Sequence, residues 1–171
     1  MKPYVGKWNQ DTQYIDEVIS VLNEEYPQSK ITYMPFKHSD IPINLDAARR
    51  TKNADLYVTH HLQFDEILSK ISQADLMIGE RLHSAILSAT CYTPFVALSY
   101  RPKHHDFADS IEMSDYVLKT TDTTPDRLRA LLAEVTSDYD PIVDSLEREV
   151  TAKRETLEDF ATEIRSDLTS S

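Results

Sequence analysis

A chain of 171 residues with 29 acidic side chains against 18 Lys and Arg, and a formal net charge of −11, is one domain by length and has the wrong sign for a nucleic-acid or anionic-membrane partner. It has no apolar run of about 18 residues, and its opening MKPYVGKWNQD lacks the apolar core of a secretory leader, so a soluble, cytoplasmic chain is expected. A single cysteine, Cys91, excludes a disulfide framework and a cysteine-rich metal cluster; it reads as a small buried hydrophobe, with nothing nearby to activate a thiol.

Short apolar runs alternate with amphipathic stretches. The first run is PYV, residues 3–5; Asp11 or Thr12 then caps a helix to about Tyr26, with Ile15, Val18, Ile19 and Leu22 on one face and Pro27 as its stop. KITYMPF (30–36), ADLYVT (54–59), ADLMIG (74–79), PFVALSY (94–100) and DYVLK (115–119) read as further strands. Helices are expected near 44–53, 62–73, 81–92 and 124–137, the last opened by Pro125. Strands alternating with helices predict a parallel sheet with right-handed crossovers, an α/β, three-layer Rossmann-like domain. Only Gly6 and Gly79 occur in the chain, which rules out a GxGxxG fingerprint or a P-loop.

Ligands of such sheets bind outside the carboxyl ends of the strands. The loops expected there carry Lys7 and Trp8, Lys37 and His38, His60 and His61, Arg81 and His83, then Tyr100, Arg101, Lys103, His104 and His105. All six histidines are thus predicted on one edge, which looks built to receive an anion. A helix starting near Arg81 offers free backbone N–H groups and the positive end of its dipole. Arg81 adds a planar fork, and His83, in the first turn, is placed to move a proton. Leu82, Ala85, Ile86 and Ala89 bury the helix behind them.

The stretch ISQADLMIGERLHSAILSATCYTPFVALSYRPK resembles the signature of the polysaccharide pyruvyl transferase family, carried here by Asp75, Arg81, Leu82, His83, Pro94, Ser99, Tyr100, Pro102 and Lys103. Upstream, MPFKHSD matches the family's Pro-Phe followed by an aspartate, at Pro35, Phe36 and Asp40; the resemblance runs from about residue 3 to residue 120. It implies the carboxy-terminal half of a two-domain, glycosyltransferase type B architecture. It also implies transfer of a pyruvyl group from phosphoenolpyruvate to two hydroxyls of a sugar in a cell-surface glycan, forming a cyclic ketal. Arg81 and Lys103 would then hold carboxylate and phosphate, with Ser99, Tyr100 and His60 beside them, and His83 would act as general acid or base. No metal or other cofactor is implied.

Family members often carry a glycine before the Pro-led strand and another after the lysine, where this chain has CYTP and KHHDF. The loss of backbone freedom there leaves two other readings: a non-catalytic anion- or glycan-binding module, and a domain of a nucleotide-sugar transferase or epimerase. Plain structural roles also stand beside the chemical ones. Arg81 can pair with Glu80 or Asp75, Lys103 can be a surface lysine, and His83 a satisfied structural histidine. The pairs His60-His61 and His104-His105 are poor metal sites, because sequence neighbours seldom converge on one ion.

Residues 1–138 are assigned to the donor-binding domain and 139–171 to a helical extension. From Thr121 onward there are 13 acids and 6 bases. After SDYDP (137–141), read as a separator, Val143, Leu146, Val150, Lys153, Leu157, Phe160 and Ile164 follow steps of three and four, one mostly apolar stripe on a helix of some 25 residues. Such a helix spans about 37 Å, so its distal part, Leu157 to Leu168, is expected to overhang. An amino-terminal domain or a second copy would cover it.

Overall fold

The structure is a computed structural model that describes residues 12–59 and 61–169. Lys7, Trp8, Asp11, His60 and the expected strand at 3–5 lie outside the described residues. The order of elements is α1 (Gln13–Glu25), β1 (Ile31–Tyr33), α2 (Ile41–Arg50), β2 (Ala54–Leu56), α3 (Phe64–Ile71), β3 (Met77–Gly79) and α4 (Leu82–Thr90). There follow β4 (Phe95–Ser99), α5 (Lys103–Asp109), β5 (Val117–Lys119), α6 (Pro125–Ser137) and α7 (Tyr139–Thr169).

Every described strand pairing is parallel. Among the described residues the strands form two hydrogen-bonded groups, β1-β2 and β3-β4-β5, rather than one continuous ladder. Tyr33 is in register with Leu56, Gly79 with Ala97, and Ser99 with Lys119, so within each group the carboxyl ends lie together. All five residues of β4 are buried, as a strand covered on both faces requires. On that strand α4 and α5 pack directly, and α1 and α6 pack on each other. Val21 of α1 and Leu128, Leu132 and Val135 of α6 share one core with Phe95, Val96 and Leu98. The chain is thus an α/β, three-layer Rossmann-like fold with a long last helix.

Local chemistry explains where elements begin. The Thr12 side chain occupies the cap position of α1 but makes no capping bond, and the helix ends just before Pro27. Helix α2 starts three residues earlier than expected because Pro42 fits the first turn, following a 3₁₀ turn at His38–Asp40. Glu66 of α3 reaches back to accept from the Gln63 N–H at 2.7 Å. Thr124 accepts from the Arg127 N–H at the start of α6.

KHHDFAD, expected as loop, is helix α5, with Pro102 at its N-cap. The separator SDYDP shrinks to Asp138 alone, because Pro141 sits in the first turn of α7, where its missing N–H costs nothing. As a result the buried stripe of α7 starts at Ile142 rather than Val143, and continues through Leu146 to Val150. Beyond Thr151 every residue of α7 to Leu168 is exposed, so the overhang expected from Leu157 begins five residues earlier, at Ala152. No helix among the described residues is long and apolar enough to cross a membrane.

Candidate active site

The carboxyl end of β3 is shaped by a close approach. A Cβ built on Gly79 would lie 2.0 Å from the Ser84 Oγ and 2.7 Å from its Cβ, so only glycine lets the first turn of α4 fold back over the strand. Ser84 donates through its backbone N–H (2.9 Å) and its hydroxyl (2.5 Å) to the Arg81 carbonyl, closing that turn. Arg81 is thereby the N-cap, with extended backbone (φ −81°, ψ 132°), and its side chain leaves the helix axis for the neighbouring loop.

There it meets Asp40, which follows β1. Arg81 donates through Nε to Oδ2 at 3.1 Å and through Nη2 to Oδ1 at 2.5 Å, a side-on bidentate pair. The side chains are 32% and 13% exposed. The pair therefore ties the loop after β1 to the loop after β3, across the two hydrogen-bonded groups. Asp40, partly buried beside it, raises the Arg81 pKa further by hydrogen bonding, with burial opposing, so the guanidinium is a permanent cation. Neither Glu80 nor Asp75 is its salt-bridge partner: Glu80 accepts at Oε2 from the Tyr14 hydroxyl at 2.7 Å, and Asp75 is exposed before the start of β3. The Nη1 group of Arg81 is engaged in neither bond to Asp40.

The next loop is fastened to the same place by His104. Expected on the exposed edge, His104 is instead buried, at 1% exposure. Its Nε2 lies 2.8 Å from the Glu80 carbonyl and its Nδ1 3.4 Å from the Arg101 carbonyl. The shorter contact makes Nε2–H the donor to Glu80. Burial pushes the imidazole pKa below its ordinary value, more than the two carbonyls raise it, so the ring is neutral and carries a single ring proton. The Tyr100 ring lies against it, centroids 5.6 Å apart, with the Arg101 guanidinium 5.4 Å from the Tyr100 centroid. His104 thus pins the residue before Arg81 to the helix that starts at Lys103.

The remaining expected residues divide clearly. His83 is exposed at the second position of α4, and Lys103 is exposed as the first residue of α5. Ser99 is buried and donates to the Arg101 carbonyl at 2.9 Å, so in this structure its hydroxyl shapes the loop. His38 and His61 are exposed after β1 and β2, and His60 lies outside the described residues. His105 has its Nε2 buried without a hydrogen-bond partner among the described residues. Cys91 caps the carboxyl end of α4, and burial raises its pKa, which keeps it an inert thiol.

Three contributors escaped the sequence reading: Asp40 as the anchor of Arg81, Gly79 as the enabling gap, and His104 as the loop pin. Two of them left a signal, Asp40 in MPFKHSD and Gly79 as a lone glycine at a strand end.

The model of the polysaccharide pyruvyl transferase family matches residues 5–102, more than half of the chain. The chain belongs to the polysaccharide pyruvyl transferase family. No curated protein and no solved structure matches it. The matched span contains Asp40, Gly79, Arg81, His83, Ser99 and Tyr100, and stops one residue before Lys103. The pyruvyl transferase signature therefore coincides with the edge on which Arg81 and Asp40 are joined. Helices α5, α6 and α7 lie beyond it.

Proposed function

We propose that this edge binds phosphoenolpyruvate and supports transfer of its pyruvyl group, as a ketal, to a glycan diol. An amino-terminal domain would complete the acceptor side of the cleft. The observation that carries the reading is the placement of Arg81: a fixed cation at a helix N-terminus, inside the family match, with one edge of its fork held by Asp40 and Nη1 left for a ligand.

The chemistry asks for few groups. Protonation of the methylene carbon of the enol phosphate creates a cationic centre at the next carbon, which a sugar hydroxyl attacks while losing its proton. A second hydroxyl then displaces phosphate at the same carbon. Two C–O bonds form, the C–O bond to phosphate breaks, and the hydroxyl protons go to the methyl group and to phosphate or solvent. Arg81 and Lys103 supply the charge that holds a carboxylate and a phosphate. His83, exposed at the start of α4, is assigned the proton transfers. Ser99 acts through the Arg101 carbonyl to set the course of the loop, and Tyr100 forms its wall.

Calorimetric titration of phosphoenolpyruvate into the chain and into Arg81→Ala tests this. Binding by the parent, weakened about tenfold or more in the variant, is expected, since one charge-assisted contact contributes about 1.5–3 kcal/mol. Equal affinity in the two proteins, or no binding to either, contradicts it. With the acceptor side restored, His83→Gln is expected to lower turnover much more than donor affinity, and retained turnover removes His83 from the chemistry.

A further inference from the structure

We infer that α7 is a self-association element, which pairs antiparallel with α7 of a second copy and seats its distal turns in a groove of that copy. Four of the six large hydrophobic side chains exposed among the described residues lie on it: Leu157 (68%), Phe160 (58%), Ile164 (43%) and Leu168 (76%). Their spacing of three, four and four places them on one face. The same face, one turn earlier, lines an apolar groove of about 290 Å³, where Ile86 of α4, Phe107 of α5 and Ile111 just after it stand opposite Val150 and Leu157. Stripe and groove are thus one continuous apolar surface, with Leu157 belonging to both.

Charge chooses the occupant. Lys153 and Arg154 rim the groove, and neither is ion-paired among the described residues of this acidic chain. The distal turns of α7 carry acids beside the stripe, among them Glu158, Glu163 and Asp167. A second copy running antiparallel brings basic and acidic ends together, which a parallel pair does not. The register that sets Leu157 against Phe160 of the second copy also sets Lys153 against its Ile164, on the flank that carries its Glu163. Ile164 then drops beside the lysine stem into the groove, the lysine head reaches Glu163, and by symmetry that charged pair is made twice. The arrangement is isologous and closes on two copies. Standard interfaces bury roughly 800 Å² per partner, more than four side chains supply, and the groove walls provide further apolar area.

Sedimentation velocity of the full chain over a concentration series tests the pairing. A dimer is expected, with Phe160→Glu raising the dissociation constant about tenfold or more. Circular dichroism should show that variant still folded, since Phe160 touches no core residue. Lys153→Glu and Glu163→Lys should each weaken the dimer, and together restore it. A monomer at all concentrations, a dimer indifferent to Phe160→Glu, or a double reversal weaker than either single change overturns the inference.

Discussion

Asp40 and Arg81 depend on each other. Removing Asp40 strands a partly buried guanidinium, so Asp40→Ala is expected to cost about 1–2 kcal/mol, reduced from a fully buried pair because Arg81 reaches solvent. A double-mutant cycle with Arg81→Ala, read by urea unfolding, should return most of that as coupling; additive losses would mean the pair is not energetically real. His104 makes a separate statement about pH. Its folded pKa is depressed below 6.5 by burial, so between that lower value and 6.5 the unfolded chain binds more protons and stability falls as pH falls. Above 6.5 the contribution is constant. His104→Gln removes this titration. The stability gap between parent and variant should therefore shrink on going from neutral to mildly acid pH; a gap that stays constant contradicts a neutral buried ring.

Backbone strain at Tyr92 belongs to the same scale. It lies in CYTP, where the family resemblance led us to expect a glycine, and its φ of 56° is the left-handed conformation a glycine adopts freely. The backbone keeps that shape at a cost of roughly 1–2 kcal/mol. The Tyr92 hydroxyl lies 3.4 Å from the Thr151 Oγ1 of α7, so this side chain also meets the last helix.

At the scale of elements, the turn from β3 into α4 has no slack. Gly79→Ala is expected to destabilise by about 1–3 kcal/mol through overlap with Ser84, and to weaken anion binding by moving Arg81. Adding Ser84→Gly removes the clashing side chain and should recover much of the stability, less the roughly 0.5–1 kcal/mol cost of glycine in a helix. If Gly79→Ala melts like the parent in thermal denaturation, the close approach is not the reason for the glycine. The strong periodic helices α1, α4 and α6 were legible because their apolar faces repeat at helical spacing. By contrast α5 was not: seven residues with two histidines show no such face, and its stability comes from Pro102 and from burying His104 and Ala108. The start of α7 was misplaced for a similar reason: SDYDP reads as a separator, yet the helix begins inside it at Tyr139, since a proline in a first turn reads in sequence as a break.

For the whole molecule, the position of the candidate edge was legible and its wiring was not. Counting the loops after parallel strands placed Arg81, His83, Tyr100 and Lys103 together, because period and topology alone decide which end a loop occupies. Which of those side chains face solvent depends on partners distant in sequence. Asp40 is 41 positions from Arg81, and the Glu80 carbonyl 24 from His104, distances that no local pattern encodes. Thus one histidine of an apparently uniform basic edge became a structural pin, and the serine expected at the ligand became a loop brace. His83 and Lys103 stayed exposed on that edge.

Thermal unfolding of the chain with phosphoenolpyruvate, inorganic phosphate or a UDP-sugar at matched concentration distinguishes a phosphoenolpyruvate site on this edge from a nucleotide-sugar site. A ligand that binds only the folded state raises the midpoint in proportion to its occupancy. A rise with phosphoenolpyruvate is expected that exceeds the rise with phosphate, with none for the UDP-sugar. A rise with the UDP-sugar and none with phosphoenolpyruvate would contradict it.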